Sequence, residues 1–119
     1  MRIGITGASG MLGTALIDEL THNHMVFATS RSKGYEKDGT QWDCFDITNL
    51  RKLNRWLVKT KPDLIVHCAA LVNVNECENN EESAKKLHVE TTQIIANYLD
   101  QDSKKLIYIS TDSVFDGEK

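Results

Sequence analysis

The chain has 119 residues, which is the size of one domain. With 40% hydrophobic and 26% charged residues, its composition is typical of a folded globular domain and excludes a disordered or fibrous protein. The net charge of −3, from 14 basic and 17 acidic residues, argues against binding of nucleic acid or anionic membranes through bulk charge.

The N-terminus lacks the apolar run of a secretory signal, and no apolar run approaches the roughly 20 residues of a membrane-spanning helix. The cysteines Cys44, Cys68 and Cys77 are odd in number and form no CxxC pair, which indicates reduced structural thiols. We therefore expect a cytoplasmic protein without membrane contact.

The first part of the chain alternates between strand and helix patterns. Residues 2–6 form a short β-type run, and the apolar residues after Met11 recur with helical spacing. The run MVFATS at 25–30 predicts a second strand. The polar residues 31–40 predict a loop that is too short for a crossover helix, and residues 41–45 predict a weak third strand.

A second helix pattern follows and ends at Lys61-Pro62, because a proline disfavours helical backbone angles in the residue before it. Asp46 or Thr48 is expected to cap the start of this helix. The nearly continuous apolar run at 63–70 is typical of a parallel strand that is covered on both faces.

A long helix over 78–99 and a fifth strand over 105–110 complete the pattern. The predicted order is β-α-β-β-α-β-α-β. Strands that alternate with crossover helices form a doubly wound parallel sheet, so we expect an α/β domain of the Rossmann type with five strands over residues 1–119.

The glycine-rich turn between the first strand and the first helix is the strongest functional signal. It reads G-x-x-G-x-x-G over residues 7–13, and this context is typical of a turn that binds a pyrophosphate. Gly7 allows a tight turn, Gly10 lets backbone amides approach the phosphates, and Gly13 allows close helix packing. We expect a phosphate-bearing dinucleotide here; the alternative is a glycine-rich turn without a ligand.

The residues that close the second strand indicate which nicotinamide cofactor fits. Domains that prefer NAD usually carry Asp or Glu at this place, whereas this chain has Ser30-Arg31-Ser32-Lys33. A guanidinium can bind a 2′-phosphate and stack on adenine. The sequence favours NADPH over NADH, unless Arg31 and Lys33 are simply solvated loop charges.

Four motifs resemble the extended short-chain dehydrogenase/reductases. They are TGASGMLG at 6–13, FDIT at 45–48, HCAA at 67–70 and YISTDSVFDG at 108–117. The last motif is similar to the segment that follows the fifth strand in the dTDP-4-dehydrorhamnose reductase branch. The resemblance covers all 119 residues, in order and at the right spacing.

The resemblance implies roles for further residues. Asp46 and Ile47 would contact the adenine, and Thr111 matches the family's catalytic Ser/Thr, whose hydroxyl bonds the substrate carbonyl. Without the resemblance, Asp46 is more typical of a helix cap and Thr111 of a strand end. The complete expected cofactor site consists of Gly7, Ser9, Gly10, Met11, Leu12, Gly13, Ser30, Arg31, Asp46, Ile47, Ala69, Ala70 and Leu71.

The family's catalytic Tyr-x-x-x-Lys does not occur in this sequence, since none of the three tyrosines is followed by lysine four residues on. That tyrosine acts as the general acid, with a pKa lowered by the lysine. The sequence is therefore expected to be C-terminally incomplete relative to the family, to lack the substrate domain and to be inactive on its own.

The resemblance implies a parent enzyme that transfers hydride from NADPH to the C4 ketone of a dTDP-4-keto-6-deoxy sugar, in deoxysugar or polysaccharide biosynthesis. A sugar-nucleotide epimerase or dehydratase is an alternative on the same fold. A second alternative is a non-catalytic module similar to the regulatory subunit of methionine adenosyltransferase. A nucleotide sugar is the expected substrate, and a homodimer or a protein partner is left open.

The histidines and cysteines show no recurrent ligand spacing, so no metal site is expected. His67 and His88 are predicted to be satisfied, buried or partly buried histidines. Trp42 and Trp56 are predicted to be packing residues.

Overall fold

A computed structural model of the chain describes residues 1–68, 81–101 and 104–108, and for residues 81–88 and 108 it describes the backbone alone. Five strands and three helices lie within this part of the chain. They are β1 (Arg2–Thr6), α1 (Met11–Leu20), β2 (Met25–Ser30), β3 (Thr40–Cys44), α2 (Leu50–Thr60), β4 (Leu64–His67), α3 (Glu81–Asp100) and β5 (Lys105–Tyr108).

The five strands form one sheet in the order β3-β2-β1-β4-β5, and every neighbouring pair is parallel. The chain moves outward from β1 through β2 to β3 and then returns across the sheet to β4. The winding direction therefore reverses between β1 and β4, which creates a crevice at the carboxyl ends of these two strands. The predicted doubly wound α/β fold is confirmed.

The predicted bounds agree closely with the observed ones. β1, β2 and the start of α1 lie where the apolar patterns place them, and residues 31–39 contain no helix. β3 begins at Thr40, one residue earlier than predicted. β4 is shorter than the predicted 63–70, because Asp63 and Cys68 lie outside it, and residues 69–70, 78–80 and 109–110 of the predicted elements lie outside the described residues.

The prediction that Asp46 or Thr48 caps α2 is wrong. The N-cap is Asn49, whose side-chain oxygen accepts a hydrogen bond from the Lys52 amide at 3.2 Å. Asp46 instead stabilises the preceding turn, where its carboxylate accepts bonds from the amide and the hydroxyl of Thr48 at 3.0 and 2.7 Å. Asp46, Thr48 and Asn49 are all residue types that favour the N-cap position. The helix begins at Leu50, the first residue of its apolar stripe, so Asn49 takes the N-cap position.

Both faces of the sheet are covered, as the continuous apolar strands predict. The core on the α1 side contains Ile3, Ile5, Ile17, Val26, Ala28 and Val66. The core on the side of α2 and α3 contains Phe27, Leu53, Trp56, Leu57, Ile65, Ile95 and Leu99.

Gly4 in the central strand makes room for Trp56. A Cβ atom at Gly4 would lie 2.9 Å from Cη2 of Trp56 and 3.3 Å from Cγ1 of Ile65. Trp56 is buried and also packs against the ring of Phe45, with 6.3 Å between the ring centroids. The predicted packing role of Trp56 is confirmed, and the missing side chain at Gly4 lets α2 approach the middle of the sheet.

Arg2 and Asp63 join the amino ends of β1 and β4. The Arg2 amide donates to Oδ2 of Asp63 at 2.9 Å, and the Arg2 Nε donates to the Thr60 carbonyl at 2.6 Å. The guanidinium lies 4.6 Å from the centroid of Phe27, and Nζ of Lys104 lies 3.4 Å from Oδ1 of Asp63. The Arg2 amide, followed by Lys104, holds the pKa of the Asp63 carboxyl below its usual value.

We expect the stabilising effect of Asp63 to depend on pH. Because the folded state lowers the pKa of Asp63, its carboxylate stabilises the fold above the unfolded pKa of about 3.9, and this stabilisation is lost as the pH falls through the folded value. The free energy of unfolding of Asp63→Asn should therefore lie below that of the wild type at pH 7, with a gap that narrows below about pH 4. Urea unfolding from pH 7 to 3 measures the gap, and a gap that stays constant contradicts the assignment.

Candidate dinucleotide-binding site

The glycine-rich loop, residues 7–10, lies at the carboxyl end of β1 and beside the crevice between β1 and β4. Gly7 has φ of 62°, in the left-handed region where glycine is favoured, so the predicted tight turn is confirmed. The Gly10 amide donates to the Gly7 carbonyl at 3.3 Å, and the Ala8 amide donates to the Thr29 carbonyl at 3.1 Å. The second bond attaches the loop to β2.

Gly13 is required by packing within the protein. A Cβ atom at this position would lie 2.4 Å from the carbonyl oxygen of Ala8 and 2.5 Å from its Cα. The backbone of α1 therefore touches the backbone of the glycine-rich loop, as the third glycine of the motif predicts. No other residue type fits without displacing the loop or the helix.

Gly10 has a different environment. The nearest atom to a Cβ built there is the Gly7 carbonyl oxygen, at an ordinary contact distance of 3.7 Å, and it is the sole neighbour within 4 Å in the described part of the chain. Protein packing alone does not demand a glycine at this position. The open space beside Gly10 is what close approach of a ligand to the backbone requires.

The amino end of α1 has no cap from a side chain. Gly10 is the N-cap, and the first turn carries no acidic residue. No described residue offers an acceptor to the amides of Met11, Leu12 and Gly13, and the Met11 side chain is 93% exposed. Unpaired amides and the positive end of the helix dipole together form an environment that favours phosphate groups.

The end of β2 carries no acidic residue, as predicted. Ser30 closes the strand, and Arg31 follows it with an exposed side chain. The Ser30 hydroxyl donates to the Ser32 carbonyl, and Lys33 forms an ion pair with Glu36 inside the same loop. Lys33, which was considered for a 2′-phosphate, thus has an acidic neighbour within its own loop.

Asp46 and Ile47 lie in the turn after β3, at the same edge of the sheet. The Asp46 side chain is exposed and bonds Thr48, whereas Ile47 is buried in the core beside α2. A ligand at this edge would therefore meet the Asp46 side chain but chiefly the backbone of Ile47.

His67 and Cys68, at the end of β4, are structural. His67 is fully buried, and its Nδ1 lies 2.6 Å from the hydroxyl of Thr6, which also accepts a bond from the Cys68 amide at 3.0 Å. The prediction that His67 is buried and hydrogen-bonded within the protein is confirmed. Burial raises the pKa of the Cys68 thiol to about 11, so the thiol is neutral and unreactive near pH 7.

Several predicted residues lie outside the described part of the chain. They are Ala69, Ala70, Leu71, Cys77 and Thr111, together with the side chain of His88. Among the described residues, no three His, Cys, Asp or Glu side chains gather as metal ligands would, and no helix has the length and apolar character to cross a membrane.

One contact at this site was missed by sequence reasoning. A Cβ atom at Gly34 would lie 2.8 Å from the Cα of Ser9, so the loop after β2 rests on the glycine-rich loop. A glycine within a polar loop is typical of a turn, and its sequence carries no signal of a partner 25 residues away.

A family model described as the RmlD substrate binding domain matches residues 1–119. The chain is 32% identical over 119 residues to the probable low-salt glycan biosynthesis reductase Agl14 of Haloferax volcanii, covering 96% of this chain and 38% of the relative. It is 31% identical over 118 residues to methionine adenosyltransferase 2 subunit beta of Bos taurus, covering 98% of this chain and 34% of the relative. The chain thus spans less than two fifths of the length of either relative.

Two solved structures extend the comparison. A hypothetical dTDP-4-dehydrorhamnose reductase from Sulfolobus tokodaii superposes with a TM-score of 0.76 at 36% identity, covering all of this chain and 42% of that one. The Bordetella bronchiseptica enzyme WbmG, in complex with NAD and UDP, superposes with a TM-score of 0.52 at 30% identity, covering 58% of this chain and 24% of that one.

The two glycines should differ in their effect on stability. Gly13→Ala forces the backbone of α1 away from Ala8 and should lower the free energy of unfolding by about 1–3 kcal/mol, the usual cost of overpacking. Gly10→Ala, the matched control, meets no close atom and should change it by less than about 1 kcal/mol. Urea unfolding of the two variants measures the difference, and equal losses would contradict the distinct roles of the two glycines.

Proposed function

Because the chain belongs to the RmlD substrate binding domain family, we propose that it forms the NADPH-binding part of a nucleotide-sugar reductase. The proposed reaction reduces the C4 ketone of a dTDP-4-keto-6-deoxy sugar. NADPH, when bound, supplies the hydride. The similarity of all 119 residues to a hypothetical dTDP-4-dehydrorhamnose reductase from Sulfolobus tokodaii supports this choice of reaction class.

The observation that carries the proposal is the uncapped amino end of α1 beside the crevice between β1 and β4. The amides of residues 11–13 are unpaired among the described residues, and the space beside Gly10 is open. We propose that these amides and the glycine-rich loop hold the diphosphate of the cofactor. The complex of WbmG with NAD supports a dinucleotide at this fold.

NADPH is proposed over NADH because the strand end that would meet the adenosine ribose carries Ser30 and Arg31 and no carboxylate. A carboxylate would accept a bond from a 2′-hydroxyl and repel a 2′-phosphate, whereas a guanidinium attracts the phosphate. Asp46 and the backbone of Ile47 are proposed to contact the adenine. Ala69, Ala70 and Leu71 are proposed to line the adenine–ribose side.

Thr111 is proposed to donate a hydrogen bond from its hydroxyl to the carbonyl oxygen of the substrate, which orients the ketone and stabilises charge on that oxygen. The family's proton donor, Tyr-x-x-x-Lys, does not occur in the 119 residues. We therefore expect these residues by themselves to bind the cofactor without reducing a ketone.

A non-catalytic binding role is the second candidate, because the chain is 31% identical to methionine adenosyltransferase 2 subunit beta. A module of this kind would keep the dinucleotide site and act through a protein partner. Both candidate functions require cofactor binding, whereas substrate turnover is expected of the reductase alone.

We expect Arg31→Asp to invert the cofactor preference. The wild type should bind NADPH more tightly than NADH, and loss of a charge-assisted contact with the 2′-phosphate should weaken NADPH binding by roughly 10- to 100-fold. NADH binding should be unchanged or tighter, because Asp can accept a bond from the 2′-hydroxyl. Titration of protein fluorescence measures the four affinities.

Arg55→Asp is the matched control, since Arg55 is exposed on α2, away from the end of β2. It should leave both affinities unchanged. Equal affinity of the wild type for NADPH and NADH, or an unchanged ratio in Arg31→Asp, would show that the 2′-phosphate assignment is wrong.

Reductase activity of the whole protein discriminates the two candidate functions. With a dTDP-4-keto-6-deoxy sugar present, the proposed enzyme should oxidise NADPH, and Thr111→Ala should lower kcat by roughly 100-fold while Thr111→Ser retains most of it. Cofactor binding without any turnover by the wild type would overturn the reductase proposal and favour the binding module.

A further inference from the structure

The loop between β2 and β3, residues 31–39, rests directly on the glycine-rich loop. At the point of contact, a Cβ atom at Gly34 would lie 2.8 Å from the Cα and 3.2 Å from the Cβ of Ser9, and 3.2 Å from the ring of Trp42. Such distances leave no room for any side chain at residue 34 unless the two loops move apart. The absence of a side chain at Gly34 therefore sets the distance between the two loops.

A second contact holds the other half of the same loop. Nζ of Lys37 donates to the carbonyl oxygen of Asp18 at 2.8 Å and to its Oδ1 at 3.0 Å. The Lys37 side chain is 24% exposed, which is low for a lysine, and its hydrogen bond holds the pKa of the Asp18 carboxyl below the usual value. Asp18 lies on α1, the helix whose amino end begins at the glycine-rich loop.

A third contact links the 31–39 loop to β3. The indole Nε1 of Trp42, in β3, donates to the carbonyl oxygen of Tyr35 at 3.1 Å. The backbone of Gly34 and Tyr35 and the side chain of Lys37 are thus held by three different elements, which contribute Ser9, Trp42 and Asp18. A loop held at three successive points has a defined position relative to the glycine-rich loop.

Arg31 lies three residues before Gly34, so its backbone is within about 10 Å of the contact with Ser9. The position of Arg31 relative to the Ser9 hydroxyl thus depends on how closely Gly34 approaches. The bond between Lys37 and Asp18 keeps the same loop from moving away from α1. Gly34, Lys37 and Asp18 themselves lie outside the residues that would touch the diphosphate.

We propose that Gly34 and the Lys37–Asp18 pair are positioning residues for cofactor selectivity: they hold the 31–39 loop against Ser9 so that Arg31 and the Ser9 hydroxyl meet the same 2′-phosphate. This inference rests on the proposed dinucleotide site. It adds that the preference for a 2′-phosphate depends on the position of the 31–39 loop as well as on the charge of Arg31.

Binding of adenosine 2′,5′-bisphosphate and of AMP to the whole protein tests the proposal, because the two probes differ in the 2′-phosphate alone. Calorimetric titration should show that Gly34→Ala weakens binding of the bisphosphate by roughly tenfold or more while AMP binding changes by less than about twofold. Lys37→Met should shift the ratio in the same direction by roughly three- to fivefold, and Lys37→Arg, which can still donate to Asp18, should restore most of it.

Lys59→Met is the matched control. Nζ of Lys59 forms an ion pair of the same kind with Asp43 at 2.9 Å, but this pair joins α2 to β3 and does not touch the 31–39 loop. It should leave the binding ratio of the two probes unchanged. Thermal unfolding of each variant shows that it is folded, and Lys37→Met tests the proposal even if Gly34→Ala does not fold.

The outcomes separate this proposal from the proposed function. A wild type that prefers the bisphosphate, with variants at Gly34 and Lys37 that keep the same ratio or lose both probes equally, overturns the positioning role alone. A wild type that binds neither probe overturns the dinucleotide site and this inference with it. A selective loss of bisphosphate binding that Lys37→Arg reverses supports the proposal.

Discussion

The backbone of α1 touches the backbone of the glycine-rich loop where Gly13 meets Ala8, and the geometry of the whole site follows from this contact. It brings the first amides of the helix to the carboxyl end of the central strand, at the point where the winding of the sheet reverses. The bond from the Ala8 amide to the Thr29 carbonyl then fixes β2 relative to the same loop. Because β2 leads directly into residues 31–39, these two contacts together determine where the proposed phosphate and adenosine regions can lie.

The opposite face of the central strand uses a glycine in the same way. Gly4 admits the ring of Trp56, so α2 lies close to the middle of the sheet, just as Gly13 lets α1 lie close to the loop. At the carboxyl end of β1 the packing becomes polar, and Thr6 bonds His67 in the neighbouring strand. The core is therefore closed beneath the crevice, and the groups left open at this edge of the described part of the sheet include backbone amides and the exposed Met11.

The sequence predicts those features that depend on local pattern. Apolar runs and helical spacing predict the strands, the helices and their order, and the motif predicts which glycine packs and which lies open. The cap of α2 is less determined, because Asp46, Thr48 and Asn49 are all suitable residues and the choice depends on where the helix packs. The contact of Gly34 with Ser9 is not predictable from either segment alone, since it joins two loops that are brought together by the pairing of β1 with β2.

An ion pair with an exposed carboxylate contributes little to stability, so the Lys37–Asp18 pair is poorly suited to holding the fold together. It is better suited to choosing among positions of a loop that the sheet already brings nearby, because a small free energy is sufficient for that choice. Asp18 is on α1, and the amino end of α1 is the proposed phosphate site. A shift of α1 would therefore displace the proposed phosphate site and one anchor of the 31–39 loop together, so the Lys37–Asp18 pair couples the position of the loop to that of the helix.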